Sequence, residues 1–600
     1  MNAFSRLVIK ARPCNEAIRT LALAAGLSPL QSQILACRLD DVETAEGITK
    51  IIQPALRHID SPALFKDGAH AAERIARAIM GGQRIGIVTD YDVDGVTSHA
   101  LIYRALTEYF RVPAAAISCL IGHRIEDGYG VSDNLTDRLL AKQPLPEVII
   151  TADCGSSDEA RIARLQRHGI DVIVTDHHAL PIEGPPPSAY AVINPLRADC
   201  AYPDTTIAGC MTAWLLMSHV RGELVRAGYL EPKAPKLSKE LDLVALGTVA
   251  DCVSIGTPIN RAVVSVGLRL MNNLERPCWR AMQHLLKRND QPYNAADLGF
   301  QIGPRINARS RMADPYAALH YLLADDEGMA SHYLNLLDLD NQDRKVVERD
   351  MVETAKHQAG TLLEQGSVAL VIYLPEGHAG VQGIVASRLV DAFGRPAIVL
   401  CDAHESTQLT GSARGIPGLD MRFALQQVMS AQPDLLIKFG GHRHAAGLAI
   451  CRPRLVAFRN AFEHAVREQL GDRQLAPVIW TDGGLPAESI SLETWAELEQ
   501  LQPYGREFES PVFENSFSVE TMRTVGAEPI HLSLRLRSAH QVFEAIWFRA
   551  LPAPGAPLPF PAGSQIHCVY QLARNDYRGQ RSLRLIIQEA QRDDSRHILA

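Results

Sequence analysis

What most constrains this chain is where its acids and imidazoles fall. A short apolar run, Arg84-Ile85-Gly86-Ile87-Val88-Thr89, breaks into Asp90-Tyr91-Asp92-Val93-Asp94-Gly95. A second run, Val148-Ile149-Ile150-Thr151-Ala152, ends at Asp153, and a third, Asp171 to Thr175, ends at Asp176-His177-His178. Runs of this length, rich in β-branched residues, predict strands, and the stretches Ser98 to Phe110 and Glu159 to His168 between them predict helices. Alternating strand and helix predicts a parallel α/β sheet, whose ligands sit beyond the carboxyl ends of the strands. Three like charges within the five residues Asp90 to Asp94 repel one another, so a fold that accepts them needs a compensating cation. A pair of divalent metals, which most often serves phosphoester hydrolysis, is the natural candidate.

Each cluster alone has a blander explanation. Asp92-x-Asp94-Gly95 predicts two carboxylates on one side of an extended loop, but Asp-rich loops are usually turns or solvated caps. Asp153, two residues before a glycine, could be turn chemistry, and paired histidines can close a strand. Asp251 follows the apolar stretch Leu241 to Ala250 and could merely terminate it. It is their joint occurrence around one alternating α/β unit that favours a site.

A chain of 600 residues exceeds one hydrophobic core, which predicts three or four domains. With 46% hydrophobic and 21% charged residues it reads as soluble and globular, and no apolar stretch approaches the roughly 18 residues that span a bilayer. Met1 to Pro13 lacks the design of a signal peptide, and eleven cysteines without a CxxC pair fit a reducing cytoplasm. Residues 1–75 read as a helical segment, 76–315 as the α/β domain, 316–364 as a connecting helix and 365–470 as a second α/β lobe. Beyond 475 the texture changes to short alternating strands: His531 to Leu536 places leucines on one face and His531, Ser533 and Arg535 on the other. A small OB-like β-barrel over 475–600 is the expectation. The net charge of -8 argues against simple coating of nucleic acid, though clustered metal-binding carboxylates would be neutralised by their ions.

The chain resembles the DHH phosphoesterases, and within them the RecJ-type single-strand exonucleases. The resemblance rests on Asp90 to Gly95, Asp127-Gly128-Tyr129-Gly130, Asp153-Cys154-Gly155, Asp176-His177-His178 and Leu246-Gly247-Thr248-Val249-Ala250-Asp251. It continues through Gly383 to Arg388, Gly411-Ser412-Ala413-Arg414 and Gly440 to Gly447, and into Leu501-Gln502-Pro503-Tyr504-Gly505 and Pro511-Val512-Phe513. It implies two Mn²⁺ or Mg²⁺ ions held by Asp92, Asp94, Asp153, His177 and Asp251, with Asp153 shared and Asp90 as a further ligand or nearby base. It implies that His178 contacts the scissile phosphate or donates a proton. Arg124, Arg311, Ser412 and Arg414 would bind the DNA end, with His442 close to the catalytic centre. The implied activity is 5′ to 3′ hydrolysis of single-stranded DNA to mononucleotides in repair and recombination, with a helicase and a single-strand-binding protein as partners and no membrane. Smaller relatives act on short oligonucleotides or cyclic dinucleotides, and silent scaffold relatives lose the metal carboxylates, all of which are kept here.

Local features bear on strand binding. Lys438 to Arg459 is rich in basic residues, without an acid until Glu463, and predicts a positive wall for a phosphate chain. Tyr504, Phe508, Trp547, Phe548 and Tyr577 are candidate stacking platforms, of which only Tyr577, in a turn, is expected to be exposed. The chain departs from the family pattern at Arg309-Ser310-Arg311, where Ala-Gly-Arg is usual, at Gly377-His378, and at Arg506-Glu507-Phe508-Glu509-Ser510 after the Pro-Tyr-Gly signature.

Overall fold

The computed structural model describes residues 7–124, 126–288, 291–312, 315–403, 407–577 and 579–593. Near the N-terminus lies a short strand, β1 (Val8–Ala11). The α/β domain is built on β2 (Ile85–Thr89), β3 (Ile117–Ile121), β4 (Val148–Ala152), β5 (Asp171–Thr175) and β6 (Ala191–Ile193), all parallel, in the order β3-β2-β4-β5-β6. Every residue of β2 and β4 is buried, as expected where helices cover both faces of a parallel sheet. Alternate residues supply the two layers. Ile150 and Ile173 pack with Ile75 and Met217 from one helical layer; Ile149, Val172 and Val174 pack with Leu135, Ile162 and Leu165 from the other. The chain leaves β2 in opposite directions toward β3 and β4, so the carboxyl ends of β2 and β4 flank the crevice where doubly wound sheets bind ligands. Asp90 follows β2, Asp153 follows β4 and Asp176 follows β5.

The connecting helix is Glu327–Glu364, shorter than the expected 316–364: Tyr316–Leu322 is a separate helix, and the Asp326 side chain caps the new start by accepting from Met329 N at 2.8 Å. Its 38 residues span about 57 Å. Ala330, Leu334 and Leu337 belong to the core of the α/β domain, whereas Met351, Ala355, Ala359 and Leu363 belong to the second lobe. One rigid element therefore sets the distance between the lobes. The second lobe contains β7 (Leu370–Leu374), β8 (Ala397–Asp402), β9 (Gln408–Arg414), β10 (Lys438–Gly441) and β11 (Ala445–Cys451), ordered β10-β11-β9-β8-β7, with only β7 and β8 parallel. Alternation along β9 buries Leu409, Gly411 and Ala413 and turns Ser412 and Arg414 to the opposite face.

The strand β12 (Val478–Thr481) pairs in parallel with β1, so the N-terminal segment is not purely helical, and the helix Gly68–Met80 crosses the boundary placed at 75. Ile18, Ile34 and Ile48 of that segment share a core with Phe513 and Phe517 of the barrel, and Arg38 holds Asp482 through bonds of 2.5 and 2.8 Å. Residues 7–50 thus form a bracket between α/β domain and barrel. The barrel closes through β13 (Phe513–Val525), β14 (His531–Ser538), β15 (Gln541–Trp547), β16 (Gln565–Tyr577) and β17 (Gln580–Arg592), in the order β13-β14-β15-β17-β16. On β14, Leu532, Leu534 and Leu536 are buried while Arg535 and Arg537 are exposed, the alternation read from the sequence. The aromatic expectation needs correcting. Phe508 is fully buried and Trp547 stacks on Phe560, whereas Phe548 is 56% exposed. The Tyr577 side chain lies outside the described residues.

Candidate metal centre and strand-binding cleft

Asp92 and Asp94 do not lie on an extended loop. Asp92 caps the helix Val93–Arg104, its Oδ1 accepting from Gly95 N at 3.1 Å, and Asp94 sits in the first turn. A Cβ on Gly95 would come within 2.3 Å of the Asp90 carbonyl oxygen, so the glycine of Asp-x-Asp-Gly is needed for the strand to enter the helix this tightly. The N-terminus of the helix Gly209–Arg226 then aims at Asp94: Gly209 N donates to Oδ2 at 2.7 Å and Cys210 N to Oδ1 at 2.9 Å. Unpaired amides and the helix dipole both favour a carboxylate there. Gly209 also passes so near Asp153 that a Cβ would meet the Asp153 Cβ at 2.9 Å.

Asp153 occupies the left-handed region, with φ 60°, directly after β4, and its N donates to Thr175 O at 3.0 Å. Asp251 arrives differently, at the C-terminus of the helix Leu241–Ala250. The His177 Nε2 ties these elements together, lying 3.2 Å from Asp153 Oδ1, 3.6 Å from Asp251 Oδ2 and 3.7 Å from Asp94 Oδ2. Three overlapping groups bring their ligand atoms within 4.8 Å of one another: Asp90, Asp92 and Asp153; Asp94, His177 and Asp251; Asp153, His177 and His178. Burial, then mutual repulsion, pushes the carboxyls of Asp90, Asp153 and Asp251 well above the usual range and raises Asp94 as well. Burial holds the His177 imidazole low, in the neutral form a metal requires. The Asp90 Oδ1 is buried with no hydrogen-bond partner among the described residues. The donor set therefore fits divalent cations: hard oxygens with one imidazole and, among the described residues, no ion pair with lysine or arginine.

Asp176 has another role. Its Oδ1 accepts from His177 N at 2.7 Å and His178 N at 3.1 Å and lies 2.8 Å from His178 Nδ1; its Oδ2 accepts from Ser156 N at 3.0 Å. Burial alone would raise its pKa, but the hydrogen bond from His178 and the neighbouring imidazoles outweigh it and hold it below the ordinary value. In return, Asp176 and the metal-site carboxylates overcome the burial of His178 and push that imidazole up to about 9. Tyr129 Oη lies 2.8 Å from His178 Nδ1, and Asn194 Nδ2 donates to His178 O at 2.9 Å. Nδ1 is engaged, which leaves Nε2 as the nitrogen available to a substrate. Tyr129, Asp176 and Asn194 were not among the candidate site residues. Tyr129 and Asp176 lie inside quoted motifs, but nothing local marks Asn194.

Across from the carboxylates stands an arginine cluster. The Arg124 guanidinium lies over the Tyr91 ring at 4.2 Å, and its Nε is buried without a partner. Arg311 donates to Gly380 O of the second lobe, and burial with the charges of Arg124, Arg344 and Arg414 pushes it down to about 9. Arg414 donates to Ala413 O at 2.9 Å and packs where a Gly383 side chain would stand, 2.8 Å from that position; burial lowers it too. Among the described residues none of these three forms an ion pair. Ser412 shares the Arg414 face of β9, and His442 is exposed at a point where it feels the charges of Arg414 and His178. Electrostatic contact thus links Arg124 to Asp90, Arg311 to Arg124 and Arg414, and His442 to Arg414 and His178, while Ser412 joins them through the face of β9 it shares with Arg414.

The basic wall is thinner than its composition. Arg452 pairs with Asp402 at 2.6 Å, Arg454 with Asp434 at 2.5 Å, and Arg459 donates to Val371 O. Lys438, His442, Arg443 and His444 remain exposed on the β10–β11 hairpin. Arg309 does not add to the cleft either; it pairs with Asp340 on the long helix at 3.0 Å.

Residues 84–248 match the DHH family, N-terminal domain, residues 366–468 the DHHA1 domain, and residues 481–589 the RecJ OB domain. The single-stranded-DNA-specific exonuclease RecJ of Dickeya dadantii is 36% identical over 546 residues, covering 90% of this chain and 92% of its own length. The chain belongs to the RecJ family. The RecJ of Escherichia coli is 34% identical over 583 residues, covering 95% of this chain and 97% of that protein. The crystal structure of RecJ in complex with Mn²⁺ from Thermus thermophilus superimposes with a TM-score of 0.77 at 25% identity, covering 99% of this chain and 80% of that one. The RecJ architecture therefore holds across both lobes, the long helix and the closed barrel. No helix among the described residues is long and apolar enough to cross a membrane.

Proposed function

We propose that this RecJ-family chain is a metal-dependent exonuclease that hydrolyses single-stranded DNA from its 5′ end and releases mononucleotides. The observation that carries the reading is a mutual deficit. Among the described residues, a carboxylate cluster that forms no ion pair with lysine or arginine lies near a half-buried arginine cluster that forms no ion pair with an acid. Asp92, Asp94, Asp153, His177 and Asp251, with Asp90 beside them, would hold two Mn²⁺ or Mg²⁺ ions, Asp153 serving both. When bound, such a pair supplies Lewis acidity to the phosphate and leaving oxygens and makes water acidic enough to attack near neutral pH.

The chain's own residues do the rest. Arg124, Arg311, Ser412 and Arg414 grip the terminal phosphate, guanidinium forks matching its oxygens. His178, protonated at neutral pH, contacts the scissile phosphate and gives its proton to the leaving oxygen, while Asp176 keeps the ring oriented and charged. His442 closes the site from the second lobe. Strand specificity implies partners that open or hold duplex ends, a helicase and a single-strand-binding protein, and eleven unpaired thiols suit the cytoplasm.

Purified protein with Mn²⁺ should degrade a 5′-phosphorylated single strand, releasing the 5′-terminal label as a mononucleotide from the outset and sparing blunt duplex. Preference for a cyclic dinucleotide over a long strand, or release of the 3′-terminal label first, would overturn the reading.

A further inference from the structure

The turn that leads into the barrel packs on the segment just beyond Asp251. Residues 505–508 close on themselves, Gly505 N donating to Phe508 O at 3.0 Å and Phe508 N to Gly505 O at 3.2 Å. The turn is fastened to the α/β domain. Ile255 N donates to Arg506 O at 2.9 Å, and a Cβ on Gly505 would fall 2.5 Å from Ile255 Cγ1. Beneath it the buried Arg261 lays its guanidinium 4.2 Å from the Phe508 ring centre and donates to the carbonyls of Ile255, Leu501, Gln502 and Pro503. Ile255 lies only four residues beyond the ligand Asp251.

Arg506 stands exposed on this anchored turn. Its charge acts on Asp251 and Cys252 of the α/β domain and on His442 of the second lobe. Among the described residues it pairs with the adjacent, exposed Glu507 at 3.7 Å, a kind of contact that contributes little to stability. The side chain therefore has little structural duty where three parts of the molecule meet. Arg124, by contrast, acts on Asp90 and Tyr91. The carboxylates are thus flanked by positive charge on two sides: the arginine cluster by Asp90, and Arg506 by Asp251. If a strand lays its terminal phosphate in the cluster and its scissile phosphate on the carboxylates, its next phosphate leaves past Asp251.

We propose that Arg506 binds the internucleotide phosphate one step to the 3′ side of the scissile bond, making the barrel's entry turn part of the active site. The assignment rests on the exonuclease reading above. A 5′-phosphorylated dinucleotide carries the terminal and scissile phosphates only; a trinucleotide adds the one assigned to Arg506. Arg506→Ala should raise KM for the trinucleotide and longer strands about tenfold, the size of one charged hydrogen-bonding contact, and leave kcat, Tm and dinucleotide hydrolysis unchanged. Arg506→Lys should recover most of the loss, and the log–log salt dependence of single-strand binding should become shallower by about 0.7 in Arg506→Ala. A neutral methylphosphonate at the second linkage should weaken the wild type and leave Arg506→Ala unaffected. Equal losses on dinucleotide and trinucleotide, or no loss on either, would overturn the assignment. A wild type that hydrolyses none of these strands would instead overturn the exonuclease reading itself.

Discussion

The helix Leu241–Ala250 carries acids at both ends, Glu240 and Asp242 buried at its start and Asp251 partly buried at its end, and the two ends behave oppositely. At its start, Glu240 lies 2.9 Å from Arg104 Nε and 2.7 Å from Arg276 Nη2 and accepts from Tyr109 Oη at 2.8 Å. Asp242 is 2.5 Å from Arg276 Nε and accepts from Trp279 Nε1 at 2.7 Å. Burial would raise Glu240, but Arg276 and Arg104 outweigh it and hold its carboxyl below the ordinary value. At the other end Asp251 meets the like charges of Asp94 and Asp92, and the charges of His178 and Arg506 do not offset that repulsion and its burial, so its carboxyl is pushed well up. The helix dipole sharpens the contrast, favouring acids at the start and opposing one at the end. Burial of charge alone does not mark a site; burial without a counter-charge does.

The sharpest break of this contrast is Asp153→Ala. It should reduce Mn²⁺-dependent nuclease turnover by about a thousandfold or more, while thermal unfolding in chelator shows no loss of stability, because one of several repelling carboxylates has gone. Mn²⁺ at a hundred times its dissociation constant should stabilise the wild type by about 2.7 kcal/mol and the variant by much less. Parallel melts with and without metal would expose an error in either half.

Arg276→Ala should do the reverse. Leaving Glu240 and Asp242 buried without their partner costs about 3–5 kcal/mol in denaturant unfolding, with metal-dependent turnover per folded molecule largely kept. A variant that stays stable but loses turnover would contradict the division between the two ends.

Acid should separate the regions again. Without metal, the raised carboxyls of Asp90, Asp153 and Asp251 give stability that is present below about pH 4 and lost as pH rises through their folded values. Glu240 acts oppositely, its contribution present above about pH 4.5 and lost as pH falls through its lowered folded value. His99 adds to the second behaviour. Buried against Thr89 Oγ1 at 3.0 Å, it is pushed down to about 3, so its contribution is complete above about pH 6.5 and is lost as pH falls toward 3. His99→Gln should flatten the acid limb of the stability profile in that window; an unchanged slope would refute the assignment. The smallest effect belongs to Arg309→Ala. The Arg309 side chain is engaged with Asp340 on the long helix, so the change should leave KM for DNA unchanged, whereas Arg311→Ala should raise KM.

Residues adjacent in the chain carried their meaning openly. The β-branched runs ending at Asp90, Asp153 and Asp176 became adjacent parallel strands, because a fully buried strand needs a continuous apolar segment and little else. The alternation of His531 to Leu536 became a barrel strand for a similar local reason. Asp92 and Asp94 were recognisable, yet their helix was not, since an N-terminal cap and a turn share the same residues. The wall of Lys438 to Arg459 was overestimated because Asp402 and Asp434, which neutralise half of its arginines, belong to other strands and loops.

The sequence by itself determined the α/β architecture, the RecJ family and the acids and imidazoles proposed for the metal centre, because those depend on patterns a few residues long. Only the tertiary structure decided what each charge faces. It placed the Gly209 and Cys210 amides on Asp94, Tyr129 and Asp176 on His178, Asp340 on Arg309, and the Arg506 turn on Ile255. These partners lie up to hundreds of residues apart in the chain, and whether a buried charge is paired or unpaired is a property of that distant encounter.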